Sequence, residues 1–289
     1  MSKRYPVIAI TGSSGAGTTS VMNSFQHIFR REGIQAQMIE GDSMHRYERK
    51  EMDELLEKYS KVPGTHFSHF GPDANLLGEL ANTFKKFGET GTCKVRKYIH
   101  SDIEGESYYQ KAGTITPWRE CESDVDILFY EGLHGGYVGL DADVAKHVDL
   151  LVGVVPIINL EWIQKMHRDK RVRGYSQEAI IDTIIRRMPD YIEHICPQFS
   201  RTHVNFQRVP TVDTSNPFIA KDIPSADESM VVIRFADSKG IDFSYLLTML
   251  HGSMLTRANT LVVPGGKMGL AMQLIFTPMI LRLMHLRDQ

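Results

Sequence analysis

The segment Gly12-Ser13-Ser14-Gly15-Ala16-Gly17-Thr18-Thr19 decides the fold, because its glycine spacing is that of a Walker A phosphate loop. It follows a short apolar run at residues 5–10, typical of a buried strand, and precedes a helical pattern at residues 18–31. A strand, a glycine-rich turn and a helix in this order let backbone N–H groups surround phosphate oxygens at a positive helix terminus. The segment therefore predicts a nucleotide-binding loop.

The loop departs from the Walker A pattern at Thr18, which stands where the lysine belongs, while Thr19 keeps the hydroxyl that would coordinate Mg²⁺. Phosphoryl transfer depends on positioning and charge stabilisation, so another cation must replace the lysine. The candidate is a cluster of five Lys and Arg side chains between residues 165 and 173, placed where a lid over the phosphates would lie. A solvated charged helix end is the alternative.

Further apolar runs predict strands that alternate with helices. Residues 37–39 and 126–130 read as strands that lead into Asp42 and Glu131, and residues 150–155 read as a central parallel strand. The other predicted elements are helices at 50–59, 75–87, 159–168 and 267–286 and strands at 230–235 and 260–263. This order predicts an α/β, P-loop NTPase-like doubly wound sheet, mainly parallel, with helices on both faces and ligands at the carboxyl ends of its strands.

The whole chain, 1–289, is predicted to form a single domain, because its 42% hydrophobic content can bury one large core. Residues 45–120 are polar and rich in His, Lys and Glu, which favours a helical insertion that faces the substrate. Residues 230–289 contain the last strands and a broadly apolar helix, and they are a candidate oligomer or effector region.

The overall charge argues against a nucleic-acid or membrane partner. The chain has 33 basic and 35 acidic residues, a net charge of −2, so any charge that binds phosphate must be local. The late apolar stretch is interrupted by polar residues and reads as too short to span a bilayer. Cys93, Cys121 and Cys196 are too widely spaced for a disulfide framework or a zinc site. We expect a soluble, cytoplasmic protein.

Two carboxylates after strands suit phosphoryl transfer to a hydroxyl group, which needs one acid beside the acceptor oxygen and another at the metal. We assign Asp42 as the general base, because Gly41 lets the chain turn there and the following His45, Arg46 and Arg49 could bind an anionic substrate. We assign Glu131 to the Walker B position, where it would bind Mg²⁺ directly or through a water ligand of the ion. Either acid could instead be a helix N-cap or a loop carboxylate.

Asp169 and three histidines carry weaker signals. Asp169 could simply form an ion pair with Lys165, one helical turn away. His45, His100 and His134 could each be surface histidines, and only their proximity to the motifs favours a functional role.

Six longer segments extend these motifs along the chain. They are Gly12-Ser13-Ser14-Gly15-Ala16-Gly17-Thr18, Glu40-Gly41-Asp42, Phe129-Tyr130-Glu131-Gly132-Leu133-His134-Gly135, Asn159-Leu160-Glu161-Trp162-Ile163-Gln164-Lys165, Asn205-Phe206-Gln207-Arg208-Val209-Pro210 and Asp213-Thr214-Ser215-Asn216-Pro217-Phe218. Together they resemble the bacterial phosphoribulokinase family nearly from end to end. The resemblance implies that ATP and ribulose 5-phosphate give ADP and ribulose 1,5-bisphosphate in the Calvin cycle. The plant form has a redox-active cysteine where this chain has Ala16, which argues against thioredoxin-type switching.

The resemblance also implies roles, carried over by position. The catalytic set is Asp42, Glu131, Lys165, Arg168 and Asp169, with Lys165 and Arg168 on the transferring phosphoryl group. The ATP-binding set is Gly12, Ser13, Ser14, Gly15, Ala16, Gly17, Thr18, Thr19 and Ser20. The substrate set is His45, Arg49, His100 and Arg173, and the metal set for Mg²⁺ is Thr19, Glu131 and Asp169. The family implies activation by NADH, inhibition by AMP and a large homo-oligomer, expected to be an octamer. Arg187, Arg234 and Arg257 are candidate effector contacts, with surface or interface arginines as the alternative.

Two other functions stay open at this point. A uridine-kinase-like nucleoside kinase shares the loop, the aspartate after the strand and a lid pattern like Arg168-Asp169 with Arg173-Gly174. A non-catalytic nucleotide sensor could have kept the fold after the lysine was lost. The retention of three carboxylates, at positions 42, 131 and 169, speaks against the sensor.

Overall fold

The computed structural model of the protein describes residues 5–13, 18–62, 64–155 and 157–287, and it places all of their side chains except those of residues 18–20, 172 and 173. Its strands are β1 Val7–Thr11, β2 Ala36–Glu40, β3 Lys94–Val95, β4 Arg119–Glu120, β5 Ile127–Gly132, β6 Leu150–Val155, β7 Val204–Pro210, β8 Ser229–Phe235, β9 Met254–Arg257 and β10 Thr260–Pro264. Its α-helices are α1 Thr18–Glu32, α2 Arg49–Ser60, α3 Leu77–Thr90, α4 Asp102–Glu106, α5 Ile158–Arg173, α6 Gln177–Asp190, α7 Phe243–Met249 and α8 Met268–Arg287.

Eight strands form one sheet in the order β2-β5-β1-β6-β7-β8-β10-β9, and β3 pairs with β4 in a separate small ladder. The strands from β2 to β7 in this order pair in parallel, whereas β8, β10 and β9 add an antiparallel edge. Strands β1, β5 and β6 are apolar runs buried along nearly their whole length, because helices cover both faces of the sheet. The predicted doubly wound, mainly parallel α/β fold is confirmed.

Helices α1 and α8 pack together on one face of the sheet. The ring of Phe25 in α1 lies 5.0 Å from Phe129 of β5 and 4.6 Å from Phe276 of α8, measured between centroids. Phe206 of β7 completes the cluster at 5.4 Å from Phe276. Burial of each such ring stabilises the fold by about 1.5–3 kcal/mol. This packing fixes α1, and hence the point at which the phosphate loop meets a helix.

Helix α3 covers the opposite face of the sheet. Leu80 and Phe84 of α3 are fully buried, and the Phe84 ring lies 5.5 Å from the ring of Tyr130 in β5. The helix ends at Gly91, whose φ of 72° is a left-handed conformation that glycine adopts without strain. Within residues 45–120, α3 thus belongs to the sheet packing, while α2 is mostly exposed. The predicted division of the chain into one domain with an insertion stays a prediction.

Helix α8 is the one helix of the described ranges that is long and apolar enough, by length and composition alone, to cross a membrane, counted over Gly265–Arg287. Length alone therefore does not exclude a span, contrary to the expectation from the sequence. Ala271 and Ile275 are buried in the core cluster that α8 shares with α1, while 28% of the apolar window of this helix is buried. Leu270 and Leu281 are each 42% exposed on its outer side.

Strands β7 and β9 and helix α6 were not predicted as elements. In β7, Asn205, Gln207 and Arg208 interrupt the apolar residues and hide the strand pattern. The strand still enters the sheet because the buried Asn205 amide accepts a hydrogen bond from Thr202 at 2.6 Å and donates one to the carbonyl of Phe199 at 2.9 Å. The polar residues of this strand are therefore compatible with an interior position.

Candidate active site

The carboxyl ends of strands β2 and β5 lie in close contact, and two glycines make this contact possible. A Cβ atom built on Gly41 would lie 2.8 Å from the Cα atom of Gly132, and one built on Gly132 would lie 2.6 Å from the Cα atom of Gly41. The Tyr130 hydroxyl lies at similarly short distances from both positions. Only glycine fits there, so Asp42 and Glu131 are carried on adjacent segments at the carboxyl edge of the sheet.

Asp42 lies in a short 3-10 turn, Gly41–Met44, that directly follows β2. Its side chain is 46% exposed, and its carboxylate oxygens lie 3.6 Å from His45 Nε2 and 4.0 Å from His100 Nε2. These separations are too long for direct hydrogen bonds. The carboxylate therefore keeps lone pairs available for the hydroxyl of a substrate, as a general base requires.

The two histidines that face Asp42 have opposite pKa shifts. Burial lowers the pKa of His45, and the negative charge of Asp42 offsets only part of this. The carboxylate of Glu40, 3.7 Å from His100 Nε2, raises the pKa of His100, and the charges of Asp42 and Glu104 act in the same direction. His100 is thus the more readily protonated of the two. His45 is only 9% exposed, which excludes the surface alternative for that residue.

Arg49 lies beside this pair of histidines at the start of α2. Its Nε atom donates to the Tyr98 hydroxyl at 3.3 Å, and its terminal nitrogen donates to the carbonyl of His100 at 3.2 Å. A Cβ atom on Gly113 would lie 2.8 Å from the Arg49 Cβ, so that glycine gives the side chain its room. The sequence-predicted substrate residues His45, Arg49 and His100 are therefore brought together around Asp42.

Arg96 holds the turn that carries Asp42, and nothing in the sequence singles it out. Its guanidinium donates to the carbonyl oxygens of Ser43 and His45, both at 2.6 Å. It also lies over the Trp118 ring, 4.6 Å from the centroid. Hydrogen bonds from a cation to two carbonyls of one turn fix its backbone. The only available signal was the run of basic residues that contains Arg96, which does not reveal its partners.

His134 was a third candidate histidine, and it lies behind the site rather than in it. The side chain is 3% exposed, and its Nε2 atom lies 2.9 Å from the carbonyl oxygen of Phe70. Burial lowers the pKa of His134 to about 4. The surface alternative is wrong for this residue, which joins the loop after β5 to the segment that leads into α3.

Helix α5 carries the cations on the nucleotide side. Lys165 Nζ lies 2.5 Å from Asp169 Oδ2, and Arg168 Nε lies 3.1 Å from Asp169 Oδ1. Asp169 is only 2% exposed. Burial would raise its pKa, but the hydrogen bond and charge of Lys165 bring the pKa of Asp169 below its usual value. Burial, with the charge of Arg187, lowers the pKa of Lys165 to about 8. The ion pair that the helical spacing suggested is present.

The phosphate loop is described at its beginning and at the helix that follows. Gly12 donates from its N–H to the carbonyl of Gly132 at 3.1 Å, and Ser13 is fully buried. Helix α1 begins at Thr18, so its N-terminus points toward the loop. Outside the described residues lie the candidates Ser14, Gly15, Ala16 and Gly17, together with the side chains of Thr18, Thr19, Ser20 and Arg173.

The predicted Mg²⁺ ligands fit the chemistry of the ion only in part. In the described ranges no group of three or more His, Cys, Asp or Glu side chains could hold a metal. Magnesium in kinases is bound through one or two carboxylates and the substrate phosphates, for which Glu131 and Asp169 offer the right oxygen donors. Asp169 is engaged with Lys165, so it must exchange partners before it can coordinate a metal.

The three effector candidates lie in two places. Arg234 of β8 and Arg257 of β9 are both paired in register with Thr260 of β10, so they share one row of the sheet. Arg187 lies on α6, and its guanidinium is 3.4 Å from His69 Nδ1. The structure therefore brings two of the three arginines together and places the third beside the substrate-facing segment.

A loop for nucleotide phosphates and an open carboxylate for an acceptor hydroxyl occupy the same edge of one parallel sheet. This combination defines a small-molecule kinase of the P-loop type. The chain belongs to the phosphoribulokinase / uridine kinase family, whose model matches residues 7–215.

Within that family the similarity is to phosphoribulokinases over the full length. The chain is 63% identical to the chromosomal phosphoribulokinase of Cupriavidus necator, covering 100% of this chain and 99% of that protein. It is 58% identical to the probable phosphoribulokinase of Escherichia coli strain K12, over 99% of this chain and 98% of that protein. The structure of phosphoribulokinase from Rhodobacter spheroides matches with a TM-score of 0.92 and 51% identity, covering 99% of this chain and 100% of that one. The resemblance drawn from the six segments is confirmed, and the chain is an ATP-dependent sugar-phosphate kinase of the phosphoribulokinase type.

Proposed function

We propose that this chain transfers the γ-phosphoryl group of ATP to the C1 hydroxyl of D-ribulose 5-phosphate, giving ribulose 1,5-bisphosphate for carbon fixation in the Calvin cycle. The observation that carries this proposal is the environment of Asp42. It is a half-exposed carboxylate, faced by His45 at 3.6 Å and His100 at 4.0 Å, in a chain 63% identical to a phosphoribulokinase. A base next to groups that can bind a phosphate suits a sugar-phosphate acceptor.

On the acceptor side, Asp42 takes the proton from the C1 hydroxyl as that oxygen attacks the γ-phosphorus. A second carboxylate, Glu40, lies between His100 and Lys97, with nitrogen to oxygen distances of 3.7 and 3.9 Å. It keeps that edge of the site cationic by raising the pKa of His100. Arg49 and His100, with Arg173 as the carried-over candidate, bind the 5-phosphate. His45, whose pKa burial lowers, lies beside Asp42 on the same side of the site.

On the donor side, the phosphate loop and the N-terminus of α1 bind the nucleotide phosphates. Lys165 and Arg168 replace the loop lysine, whose position Thr18 occupies, and stabilise the charge on the transferring phosphoryl group. Lys165 is held by Asp169 at 2.5 Å, so it must leave that carboxylate to reach a phosphoryl oxygen. Glu131, Thr19 and Asp169 would be the oxygen donors that hold Mg²⁺, and the ion would neutralise negative charge on the nucleotide phosphates.

Regulation and assembly are part of the same proposal. We expect NADH to activate the enzyme and AMP to inhibit it, in a cytoplasmic homo-oligomer that is an octamer. Arg234 and Arg257, which share one row of the sheet, are candidate contacts for the effector, and Arg187 is a separate candidate. The exposed leucines of α8 support a contact between subunits in that region.

The test is a coupled assay of ADP release with Mg-ATP and ribulose 5-phosphate, run with and without NADH and with uridine as the control acceptor. The proposal predicts turnover that depends on ribulose 5-phosphate and rises with NADH. Uridine phosphorylation without activity on ribulose 5-phosphate would assign the site to a nucleoside kinase instead. A folded protein that binds ATP but turns over neither acceptor would indicate a nucleotide sensor.

A further inference from the structure

Three buried polar atoms, one in the phosphate loop and two in α5, have no hydrogen-bond partner. Across the described residues four such side-chain atoms occur, and these three are Ser13 Oγ, Glu161 Oε2 and Gln164 Oε1. Ser13 is fully buried and Glu161 is 8% exposed. Buried polar groups are almost always paired, so a cluster of unpaired ones calls for a functional reason.

Ser13 and Glu161 face each other across this border. The Ser13 hydroxyl is close enough to the Glu161 carboxyl to favour its ionised form, although neither oxygen completes a hydrogen bond of normal geometry. Helical spacing puts Glu161, Lys165 and Asp169 on one side of α5, where all three are buried. Lys165 is bonded to Asp169 and acts on Glu161 through its charge, whereas the Ser13 hydroxyl of the loop is the polar neighbour that favours the ionised carboxyl.

We propose that Glu161 is a positioning residue for the nucleotide: its carboxyl group holds the Ser13 hydroxyl and so fixes the start of the phosphate loop against the helix that carries Lys165. The inference rests on the proposed function, because it assumes that this loop binds ATP. On the other side, the N–H of Gly12 is held by the carbonyl of Gly132 at the end of β5. The start of the loop is then clamped between the acceptor-side strand and the cationic helix.

The groups around Glu161 set its protonation and its effect on the stability of the fold. Burial raises the pKa of Glu161 to about 7. The hydroxyl of Ser13 and the positive charges of α5 and α6 lower this pKa, but burial outweighs them. The titratable and charged groups that face it from all sides are Lys165, Arg168, Arg187, Tyr191 and Cys196. A carboxyl whose folded-state pKa lies above its unfolded value stabilises the fold below pH about 4.5 and loses that contribution as the pH rises toward 7. An ionised Glu161 at pH 8 is therefore unfavourable for folding, so a purely structural role does not explain it.

The experiment compares Glu161→Gln, Ser13→Ala and the double variant with the wild-type chain at pH 8. Asp182→Asn is the matched control, since Asp182 is a 62% exposed acid on the neighbouring helix α6. Calorimetric titration with Mg-ATP alone gives the nucleotide affinity, steady-state kinetics give each KM and kcat, and thermal unfolding gives stability.

We expect Glu161→Gln and Ser13→Ala each to weaken Mg-ATP binding about tenfold, the value of a lost charge-assisted hydrogen bond. The double variant binds no more weakly than the weaker single variant, because both changes break one contact. In Glu161→Gln, the KM for ribulose 5-phosphate and the kcat at saturating ATP stay within about threefold of wild type. Glu161→Gln unfolds at or above the wild-type temperature, and Asp182→Asn behaves as wild type.

Unchanged ATP affinity in Glu161→Gln would overturn the inference, as would additive losses in the double variant or an affinity loss matched by a lower unfolding temperature. Should Glu161→Gln fail to fold, Ser13→Ala with Glu161 intact must still show the tenfold loss of Mg-ATP affinity. Normal Mg-ATP binding by Ser13→Ala would also overturn the inference. A wild-type chain that does not bind Mg-ATP would overturn the proposed function as well. Normal wild-type binding with no effect of either substitution would overturn only the role of Glu161.

Discussion

The two halves of the site hold their aspartates in opposite ways. Asp42, on the acceptor side, is 46% exposed and lies 3.6 Å from the Nε2 atom of His45 and 4.0 Å from that of His100. Asp169, on the nucleotide side, is 2% exposed and is held by Lys165 at 2.5 Å and Arg168 at 3.1 Å. Long, exposed contacts are weak, while a short buried ion pair is costly to break. The acceptor half is therefore ready to take a proton, whereas the donor half must exchange its partners when ATP binds.

The largest effect is expected from Asp42→Asn, which removes the base and leaves the donor half intact. We expect kcat to fall by a factor of about 10²–10⁴, the usual contribution of a general base, with Mg-ATP affinity within about twofold of wild type. Steady-state kinetics and calorimetric titration measure the two quantities. Asp53→Asn, an exposed acid on α2, is the control. Near-normal turnover of Asp42→Asn would show that the acceptor half does not supply the general base through Asp42.

Lys165→Met is expected to act on both catalysis and stability, because it breaks the buried pair. Loss of charge stabilisation should lower kcat about a hundredfold. Removing the Lys165 ammonium from the buried Asp169 carboxylate should lower the free energy of unfolding by about 3 kcal/mol, measured by urea denaturation. Lys170→Met, an exposed neighbour on the same helix, should change neither quantity. Equal stability of the two variants would show that the buried pair does not hold the donor half closed.

The packing beneath both halves should respond to acid through His134. Its folded-state pKa of about 4 lies below the unfolded value near 6.5, so its contribution is fully present above pH 6.5 and is lost as the pH falls toward 4. Between pH 7.5 and 5.5 the wild type should lose about 1 kcal/mol of unfolding free energy through this group. Urea unfolding of His134→Gln should show a smaller loss, while the exposed His27→Gln keeps the wild-type slope.

The smallest effect concerns His100 on the acceptor side. Because Glu40 raises its pKa, His100 stays protonated to a higher pH than a free histidine and attracts the substrate phosphate while charged. The KM for ribulose 5-phosphate should rise about threefold as the pH increases from 6.5 to 9 and this proton is lost. His100→Gln should have a high KM across that range, and the exposed His66→Gln should follow the wild type. If His100→Gln kept the wild-type pH dependence of the KM, the loss of a proton from His100 would be excluded as the cause of that dependence.

The parts of this site that the sequence predicted are those set by local rules. A glycine-rich turn between a strand and a helix, and acids directly after strands, place the phosphate loop, Asp42 and Glu131 without any knowledge of distant contacts. The ion pair of Lys165 with Asp169 followed from helical spacing alone. Its burial did not, because burial depends on what packs over α5.

The unpredicted parts depend on contacts between distant segments. Arg96 holds carbonyls of residues 43 and 45, and His134 reaches the carbonyl of Phe70, so neither partner is visible in a local window. Strand β7 was missed because polar residues interrupt its pattern, and the buried Asn205 is satisfied by Thr202 and Phe199, which precede the strand. The sequence gives no sign that Glu161 differs from an ordinary helical glutamate, because its burial beside Ser13 depends on how α5 packs.

The most direct test of the account is the identity of the product, followed by ³¹P nuclear magnetic resonance in a mixture of the wild-type protein, Mg-ATP and ribulose 5-phosphate. We predict that the γ-phosphate signal of ATP is replaced by ADP and by a second phosphate ester on C1 of the sugar, at a rate that collapses in Asp42→Asn. Formation of ADP and inorganic phosphate without a new ester, or an ester that forms equally fast in the variant, would contradict it.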